Sequence, residues 1–280
     1  MFAAILYLVI VCRCTEFCHL AFESLIFREL CEGGCNDAWF WTRQSDHMLE
    51  MTAFQLKLWA CLFMLVDHVG VAFFDDNLLM RGVGRLAMPI FAFLLVEGFR
   101  HSHNLANYFA RLILLGLLSQ PVYMFAFPDY PGLGLNILFT LALGLLMLHG
   151  YAKSGSVWVV AVAAVLAEIA DLDYGSFAIL LIFVLYRWDG RNKNQLLGLL
   201  LLPIGWQALR RLIHTLSVTG FGCPELFLPL LPTFATGALA WFAGFFIAAY
   251  NRQVGRQEKY WFYLFYPGHL LAIGWLKTLL

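Results

Sequence analysis

Charge is what this sequence has least of. Aspartate, glutamate, lysine and arginine together make up 13% of its 280 residues, about half the roughly 25% of a soluble domain. Basic and acidic residues cancel at 18 each, so no overall basic field exists to hold nucleic acid. Cysteine is scarce past residue 35, where only Cys61 and Cys223 remain, and this excludes a disulfide framework for the main body. The five earlier cysteines (Cys12, Cys14, Cys18, Cys31 and Cys35) stand as C-x-C-x3-C and C-x3-C. Those spacings lack the paired C-x2-C grammar of zinc sites, so no metal is expected. A cleaved signal peptide fits poorly as well. The opening MFAAILYLVIVC has neither a basic start nor a small-x-small cleavage site, and it is too short to span a bilayer.

What the chain has in excess is apolar surface. Hydrophobic residues reach 61% and mean hydropathy is +0.75, the composition of a polytopic membrane protein. Apolar runs predict an all-α bundle of about nine transmembrane helices, with a range of eight to ten. They fall at about 55–74, 83–100, 107–127, 134–150, 156–171, 174–188, 195–210, 233–250 and 260–279. Residues 13–50 have mixed polarity and no clear period, and residues 1–50 are expected to be a disordered or untranslated extension, since Met48 and Met51 stand just before the first span. Residues 51–280 form the transmembrane domain. Arg210, Arg211 and His214, followed by Pro224, Pro229 and Pro232, suggest a broken or re-entrant segment.

Lysine and arginine favour cytoplasmic loops. Alternate loops hold Arg100, Lys153, then Arg187, Arg191 and Lys193, then Arg252, Arg256 and Lys259, whereas the intervening loops hold Asp75, Asp76, Arg81, Asp129, Asp171 and Asp173. The first set is assigned to the cytoplasm. The chain then enters its first span from inside and ends outside, with Arg210 and Arg211 as exceptions.

Charges inside the spans mark the candidate site, because an ionisable group near the bilayer centre costs about 2.5–3.5 kcal/mol on insertion scales and normally faces an internal, paired environment. Arg85 and Glu97 sit toward opposite ends of the stretch from Arg81 to Asn104, about 18 Å apart on a helix. In LFMLVDHVG, Asp67 and His68 diverge by about 100° and should meet different partners. His68 is either a satisfied buried histidine or a general base. Arg85 either holds an anion or pairs with Asp67. The GVGRLA around it copies the letters of a dinucleotide fingerprint but follows no strand, so its glycines are read as close helix packing.

Glu97, Arg100, His101 and Asn104 share one helix face, and Arg111 extends a basic rim that would suit a phosphorylated co-substrate or lipid phosphates. Asn136 opens the fourth span. Asp173 and Tyr174 follow Glu168 and Asp171 in AEIADLDYGSF. Asp67, His68, Arg85, Asn136, Asp173 and Tyr174 all fall at one depth, in the outer half. His269, in the last span, is buried deeply enough to face the same cavity.

At these residues the chain resembles the TraX family, integral-membrane proteins of conjugative plasmids associated with acetylation of the pilin amino terminus. The resemblance is carried, in order, by LKLWACLFMLVDHVG, VGRLAMPIFAFLLVEGFRHSHN, NYFARLILLGLLSQP, NILFTLALGLL, DYGSFAILLI and KYWFYLFYPGHLL. Together these cover most of residues 54 to 272. The first 50 residues and 195–232 carry none of it.

The resemblance implies a multi-pass protein of the bacterial inner membrane, using acetyl-coenzyme A as co-substrate and a pilin precursor as partner. An α-amine has a pKa of about 7.7–8.0, so a neighbouring base need only keep it neutral while a donor stabilises the oxyanion. His68 is the candidate base, Arg85 or Asn136 the oxyanion donor, and Tyr174 a proton donor, with Asp67 and Asp173 beside them. Glu97, Arg100 and Arg111 would line the coenzyme's entrance. Three other readings compete: acyl transfer to a sugar or lipid hydroxyl, transport along the charged path, and a non-catalytic subunit of pilus assembly.

Overall fold

Helix starts are set by short polar caps. Thr52 and Gln55 form a reciprocal capping box that opens α1 (Ala53–Phe73), satisfying amide donors that a helix end leaves free. Asn77 accepts from the amides of Leu79 and Met80 at the head of α2 (Leu78–Gly84). A tight turn through Arg85 and Leu86 joins α2 to α3 (Ala87–His101). Pro89 explains that irregularity, because it has no N–H to offer the carbonyl of Arg85. Asn104 caps α4 (Leu105–Ala126) and Asn136 caps α5 (Ile137–Ser154). α5 stops at Gly155, whose φ of 66° is the left-handed cap that glycine adopts freely. Then come α6 (Trp158–Ile169), α7 (Gly175–Arg187), α8 (Ala243–Ala248) and α9 (Lys259–Leu279).

The computed structural model describes residues 50–74, 77–128, 134–188, 241–256 and 259–280, with isolated positions at 196, 201, 205, 209 and 239. The extension before residue 50, Asp75, Asp76, Asp129, the span at 195–210 and the segment from Arg210 to Pro232 lie outside these, apart from the isolated positions. Glu50–Leu280 forms one compact unit.

Among the described residues the protein is an all-α bundle without strands, and four runs are long and apolar enough to cross a membrane. They are α1, the 24-residue run from Leu78 to His101, α4 and α5. α6 and α7 are apolar but shorter, at 12 and 13 residues. α9 is 21 residues long, and its tyrosines, tryptophans, Pro267 and His269 hold its hydropathy below that of the four. Nine spans are therefore not what these residues establish; four are.

The centre of the bundle is α3 and α7, which pack on each other, α3 also meeting α1, α5 and α8, and α7 also meeting α5 and α6. Ile90, Leu95, Val96, Ile179, Leu181, Ile182 and Leu185 are almost fully enclosed. α9 lies along α4 and α1.

Basic chain ends collect at one pole. Arg100 donates to the carbonyls of Tyr186 and Trp188 at 2.8 and 2.9 Å, tying the end of α3 to that of α7. Tyr151, near the end of α5, packs edge-on to Phe183 and Tyr186. The loop with Arg252 and Arg256 joins the same pole. It is stitched to the start of α1 by Ala53 N to Gln253 O at 2.8 Å and Phe54 N to Val254 O at 3.2 Å. At the other pole, Leu135 and Leu172 form an isolated bridge. There the amides of Leu135 and Asp173 donate to the carbonyls of Asp171 and Leu135, each at 3.0 Å. The acidic turn is held there.

Candidate functional site

One cavity of about 940 Å³ runs inside the bundle and meets both groups of polar residues. Asp67, His68, Arg81, Arg85, Asp173 and Tyr174 line one part of it; Lys57, His101 and Arg111 line another. Helical rise sets the scale, since Lys57 and His68 lie on α1 about 16 Å apart. Lys57, Cys61, Met64, His68 and Val71 all touch the cavity, and their spacing of four and three residues puts them in one stripe of α1.

Asp67 turns away from His68, as the helical period requires. Its carboxylate accepts from Arg81 Nη1 at 2.7 Å. The expected alternative, a pair between Asp67 and Arg85, is not what forms. Arg81 lies four residues before Arg85, one turn away on the same face, and takes the carboxylate instead. Gly84 makes the approach possible: a Cβ there would stand 2.6 Å from the Asp67 Cγ.

Arg85 lies over the ring of Tyr174, 5.0 Å from its centroid, with Asp67 and Asp173 as the carboxylates whose fields reach it. Such a cation–π contact is worth about 2 kcal/mol when desolvated. The turn that presents Tyr174 is unusual. Asp171, Tyr174 and Gly175 have φ of 49°, 63° and 50°, and a left-handed tyrosine costs of order 1–3 kcal/mol and persists only where its surroundings enforce it. Here they do. Leu135 clips the turn from one side, the Thr140 hydroxyl donates to the Asp173 carbonyl at 2.8 Å, and Glu168 accepts from the Ser176 amide at 2.8 Å.

His68 Nδ1 lies 2.8 Å from His269 Nε2. The two rings are coplanar with centroids 5.1 Å apart, which is edge-to-edge hydrogen bonding and not face stacking. Phe127 packs edge-on to His68 at 5.3 Å, and Phe265 stacks on His269 at 4.8 Å. His68 lines the cavity, whereas His269 stands behind it.

Other candidates are placed elsewhere. Asn136 is fully buried and does not line the cavity. Its amide nitrogen donates to Gly116 O at 2.9 Å and Gln120 Oε1 at 2.8 Å, and its Oδ1 accepts from the Leu138 amide at 3.1 Å. The geometry gives it the work of a cap. Glu97 and Arg100 also lie off the lining; they pair with each other at 3.3 Å beside the α7 terminus. Arg111 does line the cavity, its guanidinium 5.8 Å from the Tyr108 ring centroid. Tyr108 in turn lies against Gly98, where a Cβ would meet its hydroxyl at 2.9 Å.

Arg81 and Lys57 are charged lining residues that sequence reasoning did not single out as site groups, and His101, read there on the polar face of α3, joins them on the lining. The signal for Arg81 was its one-turn offset from Arg85; for Lys57, its place in the α1 stripe. Chemically, the first group combines an imidazole, two guanidiniums, a phenol and two carboxylates around one part of the cavity. The second offers an amine, a guanidinium and an imidazole.

The family model described as TraX protein matches residues 53–277. The chain is 33% identical over 250 residues to the probable fimbrial assembly protein FimC, serogroup H1, of Dichelobacter nodosus, covering 83% of this chain and 98% of that one. It is 32% identical over 154 residues to protein TraX of Escherichia coli, covering 52% of this chain and 60% of that one. No solved structure matches. The matched segment takes in every residue of the cavity, from Lys57 on α1 to Tyr266 on α9, and this chain belongs to the TraX family.

Proposed function

We propose that this protein is an inner-membrane acetyltransferase that moves an acetyl group from acetyl-coenzyme A to the amino-terminal amine of a pilin. The observation that carries the reading is the single cavity. It joins a cationic end, fit for a phosphorylated donor, to an end furnished with a base and a guanidinium. Its cationic end lies toward the pole of basic loops, which on the positive-inside rule is cytoplasmic. The opposite pole, with the Asp171 to Tyr174 turn, then faces the side where a processed pilin exposes its amine.

The donor supplies its acyl group already activated as a thioester. Lys57, His101 and Arg111 would hold its phosphates. At the other end, His68 Nε2 takes the proton of the amine as nitrogen attacks the acyl carbon. Arg85 donates N–H groups to the carbonyl oxygen as it gains charge; such preorganised donors are worth about 10²–10³ in rate. The N–C bond forms, the C–S bond breaks, and His68 returns its proton to the departing sulfur. Tyr174 and Asp173 hold the guanidinium in place. Asn136, already occupied in capping, leaves the oxyanion role to Arg85.

Intact mass of pilin from cells with and without this protein tests the reading. A gain of one acetyl group only when the protein is present is expected; identical masses would refute it.

A further inference from the structure

The tautomer of His68 can be read from its neighbours, and it gives His269 a task in the transfer just proposed, on which this inference rests. His269 Nδ1 lies 2.7 Å from the carbonyl oxygen of Phe265. A carbonyl only accepts, so that nitrogen carries a proton. In the neutral ring Nε2 is then bare and can only accept. Its partner at 2.8 Å is His68 Nδ1, which must therefore be the donor. The chain of donation runs from His68 to His269 to Phe265, and it leaves His68 Nε2 with the open lone pair.

From this geometry we infer that His269 is the positioning residue of the transfer reaction: it fixes His68 as the Nδ1–H tautomer, with Nε2 as its basic atom. When Nε2 takes the proton of the amine, the Nδ1–H bond to His269 becomes charge-assisted and shortens. A neutral histidine thus fills the place that a carboxylate fills in the serine hydrolase triad. Neutrality suits the setting. Phe127 and Phe265 wall the pair, and a buried carboxylate there would have to be desolvated. Asp67, the adjacent carboxylate, is engaged by Arg81.

Two measurements test this, one of them independent of turnover. In ¹⁵N-histidine-labelled protein in nanodiscs, the only N–H···N pair among the described residues should show a coupling across the hydrogen bond, with the proton on His68 Nδ1. A proton on His269 Nε2, or no such coupling, overturns the inference whether or not acetyl transfer occurs. In turnover assays, His269→Leu should lower kcat by about 10²-fold, within the 10²–10⁴ range of general-base catalysis, with KM for donor and acceptor unchanged. His269→Gln, whose side-chain oxygen can accept from His68 Nδ1, should recover at least tenfold of that loss. Equal loss in both variants, or a rise in KM at constant kcat, contradicts the assignment.

Discussion

Asp67 is held by Arg81 at 2.7 Å, and not by Arg85 four residues further on. That choice releases Arg85 toward Tyr174 and the cavity. Two arginines one turn apart thus have separate settings, the first neutralising a buried carboxylate and the second facing the cavity.

Removing one member of the ion pair should be worse than removing both. Its side chains are only 13% and 10% exposed, and breaking a buried pair from one side costs about 3–5 kcal/mol. Arg81→Gln is expected to lower the melting temperature in detergent sharply. Asp67→Asn combined with Arg81→Gln should restore most of the loss, as a double-mutant cycle of thermal stability will measure.

Gly84 is the clearance for that pair. Gly84→Ala places a methyl group against the Asp67 side chain and should destabilise by about 1–3 kcal/mol, the cost of overpacking. Gly268, with open space around the same Cβ position, is the control. Gly268→Ala is expected to leave the melting temperature unchanged or slightly raised.

Arg85→Lys keeps the charge but loses the planar fork of donors. The prediction is a fall in kcat of about 10²-fold with the folded yield unchanged, the scale of losing one oxyanion donor. Unchanged kcat in purified protein would remove Arg85 from the reaction.

Asn136 separates capping from catalysis. Asn136→Ala should cost about 0.5–2 kcal/mol as a lost helix cap, whereas Asn136→Ser keeps a capping oxygen. Turnover of the folded Ser variant is expected to stay within a few-fold of wild type, measured per mole of monodisperse protein. A hundredfold loss would return Asn136 to the list of reacting groups.

Much of this was legible in the sequence. Asp67 and His68 diverge as helix period demands, the glycines around Arg85 serve close packing, and the described basic loop residues gather at one pole. His269 was expected to face the cavity because a polar ring lies deep in the last span, but it stands behind His68 and off the lining. Its pairing with His68, 201 residues away, could not be read, since spacing reports faces within one helix and not which helices meet. For the same reason Asn136 looked like an active group. Its depth was visible, but the local bonds to Gly116, Gln120 and Leu138 that occupy it were not. Glu97 and Arg100 mark a polar helix end, and only the position of the α7 terminus reveals what Arg100 caps.

The central claim is that an acetyl group is transferred within this cavity with His68 as base. Its direct test is transfer of labelled acetyl from acetyl-coenzyme A to a pilin amino-terminal peptide by purified protein in nanodiscs, comparing wild type with His68→Ala at matched folded concentration. The account predicts an acetylated peptide amine with wild type and a loss of at least 10²-fold with the variant. No transfer by wild type, or equal transfer by His68→Ala, would contradict it.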